Sequence, residues 1–174
     1  MDETGRMTLA ELNSSSEEAF RAALEGIWEH SPWVVQAVVA DRPFASLDAL
    51  IERMGLAVNQ ADEARQLDLL RAHPDLAGKL ALANGLTPDS AREQASAGLD
   101  RLTPNELLAF QEWNERYRRR TGFPFIICVR EHTKSSIRAA LRARLLRSPF
   151  DERRAAITEV GKIAGYRLRD RIAE

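Results

Sequence analysis

Four Ser-Pro or Thr-Pro pairs, spread along the chain, constrain its fold more than any other feature. A hydroxyl side chain at a helix N-cap accepts a hydrogen bond from an otherwise unpaired N–H of the first turn. Proline in the next position loses no hydrogen bond and already has the helical φ angle. Each pair therefore predicts the start of a helix: Ser31-Pro32, Thr87-Pro88, Thr103-Pro104 and Ser148-Pro149.

Other capping residues and apolar stripes predict further helices. Capping signals predict three helices before Thr87-Pro88. The first runs from Ser15-x-x-Glu18 to about Trp28, and the second from Ser46 to about Met54, with Gly55 as its stop. The third runs from Asn59 or Asp62 to Ala72. Apolar residues at i, i+3 and i+4 spacing support three later ones, over about 104–120, 134–147 and 149–173. We therefore expect an all-α fold, a single-domain bundle of about eight helices over residues 1–174.

One stretch, residues 123–129, departs from the helical pattern. It contains Pro124 and then five consecutive apolar residues, Phe125–Val129. Such a run is too short and too rich in β-branched side chains for a helix of its own, so we expect a buried extended segment. Its backbone N–H and C=O groups need partners, and a planar ligand rich in amide groups is one possible source.

The charge of the chain is balanced overall but divided between its halves. The formal net charge is −1, which gives no global attraction to nucleic acid or membrane. Residues 1–87 carry 7 Lys/Arg and 14 Asp/Glu, whereas residues 88–174 carry 18 and 12. The basic half either pairs with acidic groups inside the fold or attracts an anion. A second functional hypothesis follows, a helical interaction module whose basic C-terminal half binds an acidic partner.

Cysteine usage and hydropathy indicate a cytoplasmic protein. The single cysteine, Cys128, excludes an internal disulfide framework, and its apolar surroundings disfavour a catalytic thiolate. No apolar run approaches the roughly 20 residues of a membrane span. The polar N-terminus does not have the pattern of a secretory signal. We therefore expect a cytoplasmic location and neither membrane nor nucleic acid as a partner.

His73 is the first candidate for chemistry. It stands where a helix is expected to end, because Pro74 disfavours helical backbone in the residue before it. A histidine at a helix end can be a structural cap that complements the helix dipole. It can also exchange a proton near neutral pH, and the polar groups that follow it in the sequence favour that interpretation.

A second candidate is the polar face formed by Ser90, Glu93 and Gln94. At i, i+3 and i+4 these residues share one face of a helix. No basic residue lies three or four positions from Glu93, so an intrahelical salt bridge does not explain it, although a solvated glutamate remains open. Arg167 has a local explanation in a surface pair with Asp170 at i+3.

In combination, these motifs resemble the 2-oxo-4-hydroxy-4-carboxy-5-ureidoimidazoline (OHCU) decarboxylase family. No single motif is specific, but together they extend from about Leu70 to Arg171. The matching stretches are His73-Pro74-Asp75-Leu76-Ala77-Gly78-Lys79, Leu86-Thr87 through Ser90-x-x-Glu93-Gln94-x-x-Ala97-Gly98-Leu99, Asn114-x-x-Tyr117, Gly122-Phe123-Pro124-Phe125-Ile126-Ile127-Cys128, and Glu159-Val160-x-Lys162-Ile163-Ala164 ending near Arg167.

The resemblance implies an activity, a fold and a set of site residues. It implies decarboxylation of OHCU to (S)-allantoin in urate breakdown, by an all-helical homodimer without a metal or organic cofactor. His73 would be the catalytic acid/base and Glu93 its partner. The residues that would bind the substrate are Pro74, Ser90, Ala91, Arg92, Glu93, Gln94, Phe125, Ile126, Ile127, Cys128, Val129 and Arg167. A relative with the same fold that acts on another ureido-imidazoline or allantoin-like compound stays open as an alternative, because the shape of the pocket sets that choice.

Overall fold

The protein is mainly α-helical, as the capping residues predict. The computed structural model describes Met1 and residues 5–78 and 85–174; Lys79 of the first matching motif lies outside these residues. Nine α-helices lie in the described residues: α1 Leu9–Ser14, α2 Glu17–Ala23, α3 Pro32–Val38, α4 Leu47–Gln60, α5 Glu63–Arg71, α6 Pro88–Ser96, α7 Pro104–Thr121, α8 Lys134–Arg144 and α9 Pro149–Arg171. Two short strands, β1 Met7–Thr8 and β2 Ile172–Ala173, pair in parallel. Short 3₁₀ turns occupy Val39–Asp41 and Val129–Glu131.

The chain divides into two compact units. The first consists of Met1–Leu69 with Gly161–Glu174, and the second of Leu70–Val160. Helix α9 contributes residues to both units. The expectation of one domain over residues 1–174 stays a prediction. No helix in the described part of the chain has the length and apolar character needed to cross a membrane.

The first unit is built on helix α4, which is longer than the sequence predicts. Gly55 does not end it, because the helix continues to Gln60. Leu50, Met54 and Val58 recur every four residues and are fully buried, so their stripe extends past the glycine. Burial of these side chains outweighs the cost of a helical glycine, which is about 1 kcal/mol. The helix packs against α3.

In this unit, both ends of α2 and the presence of α1 differ from the sequence prediction, whereas α5 begins at one of the two residues that the sequence offers. The N-cap of α2 is Ser16, whose side chain accepts from Ala19 N, and the helix ends at Ala23 rather than near Trp28. Asp62, not Asn59, caps α5, since its carboxylate accepts from Arg65 N at 2.8 Å. Helix α1 was not predicted, although Thr8 and Glu11 form a capping box at its start.

Proline-marked helix starts are confirmed at all four positions, with one difference in capping. Thr87 and Thr103 accept from the N–H three residues on, and Ser148 accepts from Asp151 N at 3.1 Å. Ser31 precedes Pro32 but makes no side-chain capping bond. Proline alone therefore marks that start. The caps of α6 and α7 both belong to the second unit, and the cap of α6 sets the beginning of the helix that carries Ser90, Glu93 and Gln94.

In the second unit, an extended segment separates α7 from the turn at Val129. Gly122 ends α7 in the left-handed conformation, with φ 82°, and its N–H bonds to Arg118 O at 2.8 Å. Residues 124–128 are neither helix nor strand. The segment stops one residue earlier than expected, because Val129 begins a 3₁₀ turn closed by the bond from Glu131 N to Cys128 O at 3.0 Å.

Basic residues of the C-terminal half have acidic partners within the protein. In the second unit these pairs are Arg118–Asp75, Lys134–Glu106 and Arg144–Glu152. In the first unit they are Arg167–Glu29 and Arg169–Asp48. The structure thus supports internal pairing at these positions, which weakens the hypothesis that the basic half is free to bind an acidic partner.

Replacing Gly122 by alanine is expected to destabilise the protein by about 1–2 kcal/mol, because an L-residue is strained at positive φ. Gly161→Ala is the matched control. A Cβ at Gly161, which lies inside α9, meets no atom within 4 Å. That substitution should stabilise the protein by roughly 0.5–1 kcal/mol. Urea denaturation measures both, and equal effects of the two substitutions would contradict the prediction.

Candidate active site

His73 lies in a tight turn that follows α5. It is buried, with 7% of its surface exposed, and its backbone N–H bonds to Leu70 O at 3.2 Å. Two features make the turn unusual. Ala77 has a positive φ of 50°, and a Cβ at Gly78 would lie 2.7 Å from Asp75 Cβ. Only glycine fits at position 78, so the backbone after His73 is closely constrained.

Side chains from two neighbouring helices hold this turn. From α7, Asn114 Nδ2 donates to Leu76 O at 2.8 Å, and Arg118 Nη2 lies 3.0 Å from Asp75 Oδ1. From α6, Gln94 Oε1 accepts from Ala77 N at 2.9 Å. Three consecutive residues of the turn are therefore bound to helix side chains, and the bond to Gln94 brings the His73 turn against the helix that carries Glu93.

The polar face predicted on α6 is buried. Ser90, Glu93 and Gln94 are at most 8% exposed, so the face that they share at i, i+3 and i+4 is covered and Glu93 is not a solvated glutamate. Ala91 and Arg92 lie between them and are exposed. Arg92 pairs with Asp89 on the surface. The five residues expected to bind substrate in this run thus divide into three buried side chains and two that face solvent.

The extended segment finds some of its backbone partners inside the protein. Phe125, Ile126, Ile127, Cys128 and Val129 are all buried. Arg144 Nη1 donates to Ile126 O at 2.7 Å, and Glu159 Oε2 accepts from Cys128 N at 2.8 Å. These two backbone groups therefore do not need the ligand that the sequence suggested as a partner. Helix α6 packs against the 3₁₀ turn that follows the segment.

A buried carboxylate anchors the segment through Arg144. Glu152 is fully buried, and Arg144 Nε and Tyr117 Oη donate to its Oε2 at 2.8 and 2.5 Å. Burial, and then the hydrogen bond to Glu152, raise the pKa of Tyr117 above its usual range. The Arg144 guanidinium and the Tyr117 ring also contact the Phe125 ring, at centroid distances of 4.7 and 5.4 Å. The cluster therefore fixes the side of the segment that faces α7 and α8.

Cys128 is protected from ionisation by its surroundings. Burial first, and then the nearby carboxylates of Glu131, Glu159 and Glu93, raise the pKa of its thiol to about 11. The interpretation that Cys128 is not a catalytic thiolate agrees with this shift. The influence of Glu93 also indicates that the polar face of α6 approaches the extended segment.

Arg167 belongs to the first unit and is buried there. Its Nη1 lies 2.7 Å from Glu29 Oε2 and donates to Gly26 O at 3.2 Å. Both side chains of the Arg167–Glu29 pair are at most 3% exposed. The expectation that Arg167 lies on the surface is therefore wrong, because helix spacing shows local neighbours but not which face of α9 is covered.

Sequence reasoning missed several residues that hold these elements. Asn114, Tyr117 and Glu159 stand in the motifs of the family resemblance, which was the only signal for them. Arg144 and Glu29 had no local signal, because their partners are distant in sequence.

Within residues 5–78 and 85–174, no group of three or more His, Cys, Asp or Glu is arranged to hold a metal ion. Two cavities of about 230 and 370 Å³ are lined by first-unit residues, none of them a predicted site residue.

Comparison with known proteins identifies one family. The family model described as OHCU decarboxylase matches residues 13–169. The 2-oxo-4-hydroxy-4-carboxy-5-ureidoimidazoline decarboxylase of Haloferax volcanii is 41% identical over 96% of this chain and 97% of its own length. The enzyme of the same name from Halalkalicoccus jeotgali is 40% identical over 95% of this chain and 92% of its own. A crystal structure of an (S)-allantoin synthase superposes with a TM-score of 0.77 at 34% identity, over 95% of this chain and 54% of that one.

In the native protein, Cys128 is expected to react slowly with thiol reagents. At pH 8 a thiol of pKa about 11 is ionised in on the order of one molecule in a thousand. We expect labelling by a disulfide reagent to be at least about 100-fold slower than in protein unfolded with guanidinium chloride. Absorbance of the released thiolate measures both rates, and equally fast labelling of the two forms would show that the pKa is not raised.

Proposed function

This chain belongs to the OHCU decarboxylase family, and we propose that it catalyses the decarboxylation of OHCU to (S)-allantoin in urate catabolism. Two relatives that carry the decarboxylase name cover more than nine tenths of the chain and are themselves covered to the same extent. The protein is thus a carboxy-lyase, and the question for its structure is which residues perform the reaction.

One observation carries the proposed site. Two buried ionisable side chains, His73 and Glu93, lie on two segments that the bond from Ala77 N to Gln94 Oε1 joins at 2.9 Å. Burial of ionisable groups is costly unless they are paired or used, and such groups are concentrated at functional sites. We assign His73 as the acid/base group and Glu93 as its partner.

The chemistry requires orientation and proton control more than an electron sink from the protein. Loss of CO₂ leaves an electron pair on the ring carbon that carried the carboxylate. The conjugated ring of the substrate spreads this charge, so the reaction needs neither a pyridoxal nor a thiamine group. The protein must hold the carboxylate, stabilise the charge that develops, and deliver a proton to one face of the product.

His73 and Glu93 are suited to that proton transfer. A histidine has its proton equilibrium near neutral pH, and a buried carboxylate partner fixes its orientation and stabilises its charged form. Ser90 lies in the first turn of α6, where the N–H groups favour a carboxylate or carbonyl. Its burial on the same face as Glu93 supports its assignment to substrate binding.

The remaining binding residues are proposed on different grounds. Pro74 adjoins His73, and buried Phe125–Val129 follow the helix that holds the turn. The exposed side chains of Ala91 and Arg92 leave only their backbone for substrate contact. Arg167 is proposed from the resemblance, because a guanidinium can bind a carboxylate through two N–H groups. Homodimer formation and cytoplasmic location stay predictions from the sequence.

The activity is tested by generating OHCU from urate in situ and recording circular dichroism. Enzymatic turnover should give optically active (S)-allantoin, whereas spontaneous decay gives the racemate. The purified chain should therefore increase both the rate of OHCU loss and the dichroic signal of the product. Racemic product at the uncatalysed rate would refute the proposed function.

His73→Ala should retain the fold and lose about 10²–10⁴-fold in kcat, the usual contribution of a general acid or base. Glu93→Gln keeps the size of the side chain and removes its charge, and we expect a loss almost as large. Residues that act as one unit are strongly non-additive, so the double variant should be little worse than either single variant. Multiplicative losses in steady-state kinetics would instead mean that the two residues work separately.

Arg167→Lys should raise KM by about tenfold or more, because lysine keeps the charge but not the planar pair of N–H donors. Asp170→Asn is the control on an exposed residue of the same helix and should have little effect. If Arg167 serves only its buried pair with Glu29, the lysine variant will lose stability while the folded enzyme keeps its KM. Kinetics and thermal unfolding on the same preparations separate the two roles.

A further inference from the structure

The peptide group between Leu76 and Ala77 is held from both sides. Its C=O accepts from Asn114 Nδ2 at 2.8 Å, and its N–H donates to Gln94 Oε1 at 2.9 Å. A peptide group is planar, so binding both of its polar atoms determines the orientation of the whole plane. One amide side chain comes from α7 and the other from α6, and both are about 95% buried.

This peptide group needs such support because of the backbone that follows it. Ala77 adopts a φ of 50°, a conformation that is sterically unfavourable for a residue with a Cβ. Gly78 leaves no room for adjustment, since even a Cβ there would lie 2.7 Å from Asp75 Cβ. Rotating the 76–77 peptide relieves the strain at Ala77 but breaks both amide hydrogen bonds. The two bonds therefore maintain the turn that begins at His73.

The third contact to the turn is weaker. Arg118 and Asp75 lie 3.0 Å apart, but their side chains are 44% and 27% exposed. Ion pairs with this much solvent contact contribute little to stability, because water and salt screen them.

Of the two amide side chains that hold the turn, Gln94 is already assigned to the substrate site. Asn114 is buried, neutral and outside that set, so its contribution to the turn can be tested separately.

We propose that Asn114 is a positioning residue for catalysis: by holding Leu76 O, it sets the place of His73 relative to Glu93. This inference rests on the proposed function, because it takes His73 as the acid/base group. Asn114 itself has no contact with the substrate and no share in proton transfer. Loss of the bond leaves Ser90 and Glu93 in place on α6 and displaces the turn that carries the acid/base group. A displacement of about 1 Å is enough to cost on the order of 10²-fold in rate.

The test replaces Asn114 with leucine, which has a similar size and no polar group. We expect kcat to fall by about tenfold or more while KM stays within about threefold, the result for an interaction used in the transition state only. Asn114→Asp keeps the shape of the side chain and removes the N–H donor, so it serves if the leucine variant does not fold. Gln111→Leu, which removes an amide one turn earlier on α7, should leave both constants unchanged.

Two further measurements separate positioning from general loss of stability. Amide hydrogen exchange at Ala77 should become faster in Asn114→Leu, because the peptide plane can then rotate. In a His73→Ala background, Asn114→Leu should cause no further loss of turnover, since Asn114 acts through His73. A folded leucine or aspartate variant with wild-type kcat, or an additional loss in the double variant, would overturn the inference.

The activity of His73→Ala distinguishes failure of the positioning role from failure of the proposed catalytic role. If His73→Ala is inactive while the Asn114 variants turn over normally, only the positioning role fails. If His73→Ala turns over like the wild type, both the proposed catalytic role and the inference built on it fail. The same assay on all variants, with optical activity of the product as readout, gives either result.

Discussion

The candidate site depends on the hydrogen bond from the Ala77 N–H to Gln94 Oε1. This bond joins the turn carrying His73 to the helix carrying Glu93, and it lies in a buried setting where an unmade bond is costly. Because the partner on one side is a backbone group, the bond determines backbone position rather than side-chain rotamer. The relation between the two candidate catalytic residues is thereby built into the fold of the second unit.

In the same unit, a buried ion pair holds the extended segment. Glu152 is completely buried and accepts from Arg144 and Tyr117, and Arg144 in turn holds the carbonyl of Ile126. A buried ion pair is a poor source of net stability, because desolvation of both ions offsets their attraction. Here the ion pair contributes to the conformation of the extended segment. An irregular segment without strand neighbours needs side-chain partners to adopt one conformation, and this cluster provides them at a defined place.

Local physical chemistry accounts for the parts of the fold that sequence reasoning predicted correctly. Proline and hydroxyl residues act within one helical turn, so the starts of α3, α6, α7 and α9 follow from adjacent residues alone. Helix ends were less predictable. Gly55 was expected to stop α4, but its stop signal is weak compared with the burial of a continuing apolar stripe, and burial depends on what packs against the helix.

The sequence by itself determined the helical class, the shared face of Ser90, Glu93 and Gln94, and the family. These follow from periodicity, which acts over a few residues, and from the combination of short motifs. The tertiary structure alone decided which side chains hold those motifs in place: Asn114 on Leu76, Arg144 on Ile126, and Glu29 beside Arg167. Hydrogen bonds and ion pairs act over about 3 Å. They therefore join residues that the folded chain brings together. The spacing of those residues along the sequence does not predict such a contact.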